Sequence, residues 1–187
     1  GVNGSFSAEQ FCALLLEDTL YPSVWGKMYP AWALRSIRFR PGRVGEDVFF
    51  WADLLSEGLI SHFAIIDEPL YGYRQRSSSV INQYDAVQDA ALLDAWDALG
   101  GVVRGLFGTC ADLAAYREIQ ARFFLIDRAL RVMRTRDFDQ LADLRQYLAP
   151  RFKDIMSSPY FGIKRKVLTP LLLGVPALYG AVVRCFK

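Results

Sequence analysis

The sequence predicts a mixed α/β segment over residues 1–82, a helical bundle over 83–160 and a basic-flanked apolar tail over 161–187. Three observations carry this reading. Short runs rich in Val, Ile, Phe and Tyr, bounded by Gly and Pro, alternate with helical spacing in the first segment. Past Asn82 the texture becomes helical: Tyr116, Ile119, Phe123, Ile126, Leu130 and Met133 step by three and four residues, a seam for helix packing. Last, Val167 to Val183 is a run of seventeen residues without a charge, preceded by Lys164-Arg165-Lys166 and followed by Arg184 and Lys187.

The elements follow in order. Ser7-Ala8-Glu9-Gln10 reads as a capping box that opens a helix carrying Phe11, Leu14 and Leu15, with Pro22 ending it. Val24 to Tyr29 is short and aromatic, a candidate strand, and Pro30 starts a brief helical turn. After the loop Arg40-Pro41-Gly42-Arg43, Glu46 to Glu57 has helical spacing through Val48, Trp51, Leu54 and Leu55, and Gly58 stands where a C-terminal cap belongs. Ser61 to Ile66 and Pro69 to Tyr73 read as two more strands. Leu92, Trp96, Leu99, Val103 and Leu106 form a second seam, interrupted by Gly100-Gly101, and a third helix is expected from about Phe138 to Leu148, before Pro150.

With 187 residues, 52% of them hydrophobic, the chain can bury a core and is no disordered tail. The opening Gly1-Val2-Asn3-Gly4 has no initiator Met and no secretory pattern, which reads as the start of a fragment. Cys12, Cys110 and Cys185 are odd in number and widely spaced, which argues against a disulfide framework and for a reducing compartment. The net charge of +2 is unevenly placed: residues 151–187 hold seven Lys/Arg against one Asp/Glu, while both preceding segments are slightly acidic. A basic excess confined to the apolar end suggests an anionic membrane surface as partner for 164–187, with no nucleic acid involved. Seventeen residues are fewer than the ~20 typical of a spanning helix, and Pro170 and Pro176 disfavour a straight one. An interfacial segment fits better, with a helix packed on the bundle as the alternative.

Three motifs stand in fixed order: Val24-Trp25-Gly26-Lys27-Met28-Tyr29, then Gly45-Glu46-Asp47, then Tyr71-Gly72-Tyr73-Arg74-Gln75-Arg76-Ser77-Ser78-Ser79-Val80. Together with the linking Ile37-Arg38-Phe39 and Ile66-Asp67-Glu68-Pro69-Leu70, the set resembles the acceptor-side, C-terminal part of the GT-A catalytic domain in family 2 glycosyltransferases. The resemblance covers residues 20–82 well and the helical remainder loosely.

It implies an α/β GT-A fold whose first half, nucleotide pocket and metal motif precede Gly1, so that the fragment alone would be inactive. It also implies an inverting transfer from a nucleotide-diphospho-sugar to a saccharide or lipid-linked acceptor, at the cytoplasmic face of a bacterial cell membrane. Asp47 would be the catalytic base, Glu46 its partner, and a divalent Mg or Mn ion would be held mainly by residues outside the chain. A helix N-terminus favours the carboxylate of Asp47, so an activating environment must come from Glu46 and partial burial. The plain alternative for Glu46-Asp47 is a favoured helix start.

Arg74 and Arg76 alternate, so on a continuing strand they share a face and suit a diphosphate; a solvated strand end is the equal alternative. Ser77-Ser78-Ser79 departs from the family, which more often has a Gly there. Trp25 offers a flat face for a sugar ring, or a core aromatic. Lys27, set between Trp25 and Tyr29, needs a partner such as Glu46, Asp47 or a phosphate.

Other features fall away. Asp137-Phe138-Asp139 spells D-x-D but lies after the Glu-Asp motif at a helix start, where capping explains it. His62, the one histidine, has no ligand cluster in sequence. No phosphate-loop motif occurs. The competing reading is a non-catalytic helical module that docks proteins or membranes through residues 84–187.

Overall fold

A computed structural model describes residues 2–74, 86–132 and 141–185. The elements in chain order are β1 (Gly4–Ser7), α1 (Ala8–Leu16), α2 (Glu46–Ser56), β2 (His62–Ile65), α3 (Ala86–Leu106), a 3-10 turn (Gly108–Cys110), α4 (Ala111–Val132), α5 (Ala142–Leu148), a second 3-10 turn (Ala149–Arg151), α6 (Phe152–Ser157), α7 (Ile163–Gly174) and α8 (Pro176–Cys185). Among the described residues helix takes 63% and strand 5%, and the sheet there is one antiparallel pair in which Gly4 faces Ile65 and Ser7 faces His62. The expected α/β GT-A architecture is therefore overturned: the chain is mostly helical.

The expected strands over 24–29 and 69–73 are irregular, for local reasons. Gly26 takes φ +69°, which turns the chain, and Lys27 folds back onto the carbonyls of Tyr21 and Ser23. Pro69 has no N–H for a ladder, and the Leu70 amide bonds to the Glu68 carbonyl at 2.8 Å, a tight local turn.

The described chain divides into two compact units, one built from 2–74 and 86–118, the other from 119–132 and 141–185. In the first unit Ser7 caps α1 as expected: its hydroxyl accepts from the Gln10 amide, and the Gln10 side chain accepts from the Ser7 amide. α1 ends at Leu16, before Pro22, where Asp18 adopts a left-handed conformation (φ 62°) and pairs with Arg117. α2 is buried nearly all round, from Val48 to Leu55 apart from Asp53, because α3 packs on it and aromatic rings close around it. Trp51 lies among Phe11, Tyr29, Phe50 and Phe63, and its indole N–H donates to the Pro22 carbonyl at 2.8 Å. Gly58 follows the C-cap Glu57 at φ 61°, as a helix stop requires. In α3 the seam residues Trp96, Leu99 and Val103 are buried while Leu106 is exposed. A Cβ at Gly100 would run into Glu118 Oε1, so a side chain there would push aside the carboxylate that binds Arg104 at 2.6 Å.

In the second unit the α4 seam residues Ile119, Phe123, Ile126 and Leu130 are buried, and with Leu148, Ile155, Phe161, Leu172 and Tyr179 they form the core. Met133 and the D-x-D at Asp137-Phe138-Asp139 lie outside the described residues. Within them the third helix begins at Ala142. The tail forms two helices, not one segment. Val175 precedes Pro176, which disfavours helix at Val175 (φ −135°) and suits the first position of α8.

Arg145 caps the end of α7 by donating to the carbonyls of Leu172 (3.1 Å) and Leu173 (3.0 Å). Arg165 turns inward: its guanidinium meets Asp127 at 3.0 Å and the Tyr179 hydroxyl at 2.9 Å, and stacks over the Phe123 ring. The Tyr179 hydroxyl in turn donates to Asp127. Leu172, Tyr179 and Arg165, expected to approach a membrane, are thus core or core-facing residues. Among the described residues no helix is long and apolar enough to cross a membrane. Cys12 and Cys110 are buried free thiols of the first unit; Cys185 is exposed at the end of α8.

Candidate active site

The motif residues that meet are held by the start of α2 and the loop over 21–29, both in the first unit. Gly45 is the N-cap of α2 in the left-handed conformation, φ 86°, which a side chain resists. Its carbonyl accepts from the amides of Val48 (2.9 Å) and Phe49 (3.0 Å). A Cβ there would stand 3.0 Å from the Ala95 Cβ and 3.2 Å from Leu92 Cδ1, so the glycine also lets α3 close on this turn. Glu46 and Asp47 follow in the first helical turn, Glu46 exposed and Asp47 half-buried.

The Asp47 carboxylate accepts from the backbone N–H of Val24. Burial, and then the charge of Glu46, hold its carboxyl above the ordinary range, against the opposing effects of Val24 and Lys27. Lys27 donates to the Tyr21 carbonyl (3.1 Å), the Ser23 carbonyl (2.5 Å) and, more loosely, Ser23 Oγ (3.4 Å). Burial lowers its ammonium pKa while the Asp47 charge opposes that. The partner that Lys27 was expected to need is thus mainly backbone carbonyl, with Asp47 acting through charge. Tyr29 is the residue sequence reasoning missed. Its hydroxyl is buried and has no hydrogen-bond partner among the described residues, and burial together with the Asp47 charge pushes its pKa up. Its place two residues after Lys27, the same alternation that singled out the lysine, was the available signal.

Trp25 belongs to a separate aromatic group. Its ring stacks with Tyr71 (centroids 5.1 Å, 22° between planes) and Tyr73 (4.7 Å, 16°). It remains 38% exposed, so it is no core residue. Arg74 follows Tyr73 and is exposed on an irregular segment, while Arg76 lies outside the described residues. The shared strand face expected for this pair has no strand beneath it as far as Arg74. Chemically, the arrangement offers a carboxylate made more basic by its surroundings, near an ammonium and a phenol, with the part-exposed Trp25 ring on the same loop.

Among the described residues no group of three or more His, Cys, Asp and Glu could hold a metal ion, so the ion that the resemblance implies has no fitting site among them. His62 is exposed on β2, its Nδ1 2.9 Å from Ser61 Oγ. No protein-family model, no curated protein and no solved structure matches the chain.

Proposed function

We propose that this chain supplies the acceptor side of an inverting sugar transfer, from a nucleotide-diphospho-sugar to a saccharide or lipid-linked hydroxyl. The motifs around Asp47, not the fold expected for them, support it. The observation that carries the reading is the Asp47 carboxyl, half-buried at the start of α2, raised in basicity by burial and Glu46 and fixed by the Val24 amide.

In this reading Asp47 takes the proton of the acceptor hydroxyl as that oxygen attacks the anomeric carbon. The bond from that carbon to the diphosphate breaks with its electron pair, and the nucleoside diphosphate leaves. Glu46 acts electrostatically, keeping Asp47 basic. Lys27, anchored on the loop carbonyls, holds a positive charge beside the base and fixes the loop that carries the Val24 amide. Trp25, with Tyr71 and Tyr73, gives an aromatic face suited to the C–H groups of a sugar ring. Arg74 and Arg76 are assigned to the leaving diphosphate, for which guanidinium geometry is suited.

The test is a screen of nucleotide sugars on the protein as its gene encodes it, with a membrane extract as acceptor source. Transfer is expected from one donor, and Asp47→Asn is expected to lower turnover at least ~10²-fold, the usual scale for a lost general base. Near-normal turnover in a folded Asp47→Asn protein would remove Asp47 from the role, and no transfer from any donor would sink the enzyme reading. The second reading, a helical docking module without catalysis, is favoured by the exposed apolar side chains of α7 and α8.

A further inference from the structure

Helix α7 is apolar on two sides. With 3.6 residues per turn each residue advances by about 100°. Ile163, Val167, Pro170 and Gly174 then fall within about 60° of one another, and all four are exposed. Ile163 is 82% and Val167 63% exposed. The opposite side, Leu168, Thr169 and Leu172, is buried in the second unit.

The basic cluster is sorted by the same helical phase. Lys164 and Lys166 stand about 80° to either side of the outer stripe, whereas Arg165 between them points inward to Asp127 and Tyr179. Arg151 is also engaged within the unit, stacked over the Tyr147 ring and bonded to its carbonyl. Lys164, Lys153 and Arg184 are exposed and Lys166 is partly so, and Val175 (52% exposed) and Leu178 (48%) add apolar surface past the end of α7.

We propose that this face of the second unit docks on an anionic lipid bilayer, with α7 lying in the plane of the interface. Ile163 and Val167 enter the boundary of the acyl chains, and the flanking lysines meet headgroup phosphates. Charge complementarity selects this occupant. The residues named on this face include no carboxylate that a second copy could offer to Lys164 and Lys166, and a nucleic acid has no use for an apolar centre. A shallow mode is what the helix lengths allow, since none of the described helices can span. This inference stands independently of the sugar-transfer reading, because it uses other residues and another readout.

Flotation of the whole chain with phosphatidylcholine vesicles, with and without a third of phosphatidylglycerol, tests it. The native chain should float with the anionic vesicles and weaken with salt without reaching zero, because the apolar part is insensitive to screening. Ile163→Asp with Val167→Asp should cut flotation at least ~10-fold, as two exposed apolar anchors become charged at the interface. Lys164→Glu with Lys166→Glu should remove the preference for anionic lipid. Circular dichroism checks that both variants fold. Absence of native flotation, or equal flotation by the Asp variant, overturns the proposal. So does sedimentation showing that the Asp substitutions abolish a dimer while vesicles stay unbound, which would make the face a self-interface.

Discussion

Replacing Tyr179 by Phe removes one oxygen from the centre of the second unit and leaves the ring volume in place. The hydroxyl donates to Asp127 and accepts from Arg165 at 2.9 Å, so two charge-assisted hydrogen bonds disappear together. Such bonds contribute about 1.5–3 kcal/mol each when a buried partner is left unsatisfied. Two facts reduce the total. Asp127 and Arg165 keep their own 3.0 Å ion pair, and their side chains remain 20% and 19% exposed, so water partly replaces the lost hydroxyl. We expect a net loss of about 2 kcal/mol, which for a chain of this size lowers Tm by roughly 4–8 °C. All four tryptophans lie in the first unit. Far-UV circular dichroism and hydrogen exchange over residues 141–185 are therefore the right readouts, rather than indole fluorescence. The pH dependence adds a sign. Burial, then the Asp127 charge, push the Tyr179 phenol above its ordinary 10.0, so the folded state holds that proton more tightly than the unfolded state. This contribution to stability is complete below pH 10 and declines as pH rises beyond it. The Phe variant should lose stability less steeply above pH 10 than the native chain. A loss under about 0.5 kcal/mol, the range of inconsequential surface changes, would refute the assignment of Tyr179 as a structural tie.

Three further outcomes are expected. Because the Asp47 carboxyl is held above its ordinary 3.8, its charge weakens the fold as pH rises through and above that value. Asp47→Asn should then be at least as stable as the native chain at pH 7 by urea denaturation, with the difference fading near pH 3. Gly45→Ala should cost about 2 kcal/mol, from a left-handed residue and a methyl forced against Ala95 and Leu92, measured by the same denaturation. Arg74→Lys should weaken binding of the nucleoside diphosphate in calorimetry, because an ammonium does not reproduce a bidentate fork; unchanged affinity would assign Arg74 to the surface.

What the sequence reveals here depends on how local the cause is. The capping box at Ser7 and Gln10 and the stop at Gly58 each involve a few neighbouring residues, and the structure has them where the spacing puts them. The seams on α3 and α4 are legible because burial on one face leaves a period of 3.6. β1 is not legible: Gly-Ser-Phe-Ser carries no alternation, and its extension comes from pairing with β2, fifty-odd residues away. The opposite error arises at 24–29 and 69–73, where aromatic richness suggests strands. There the rings stack on each other, Trp25 on Tyr71 and Tyr73, without a ladder between their backbones. At the candidate site the pair Glu46-Asp47 is readable as a motif, but the Val24 amide and the Tyr29 hydroxyl depend on how a glycine-turned loop folds over α2. In the tail, composition shows one basic cluster. Only the helical phase reveals that its middle member belongs to the core.

The three cysteines have a consequence for handling the protein. Burial, helped by Cys110 and Glu9, pushes the Cys12 thiol up to about 12, and burial also raises Cys110. Since the thiolate is the reacting species, both are slow toward alkylating reagents while the first unit is closed. Cys185 is exposed at the last turn of α8. A stoichiometric maleimide therefore marks one position in the native chain without any engineered substitution. An environment-sensitive dye there is a built-in sensor at the end of the helix that follows α7. The two slow thiols become a clock, since their modification rate counts openings of the first unit.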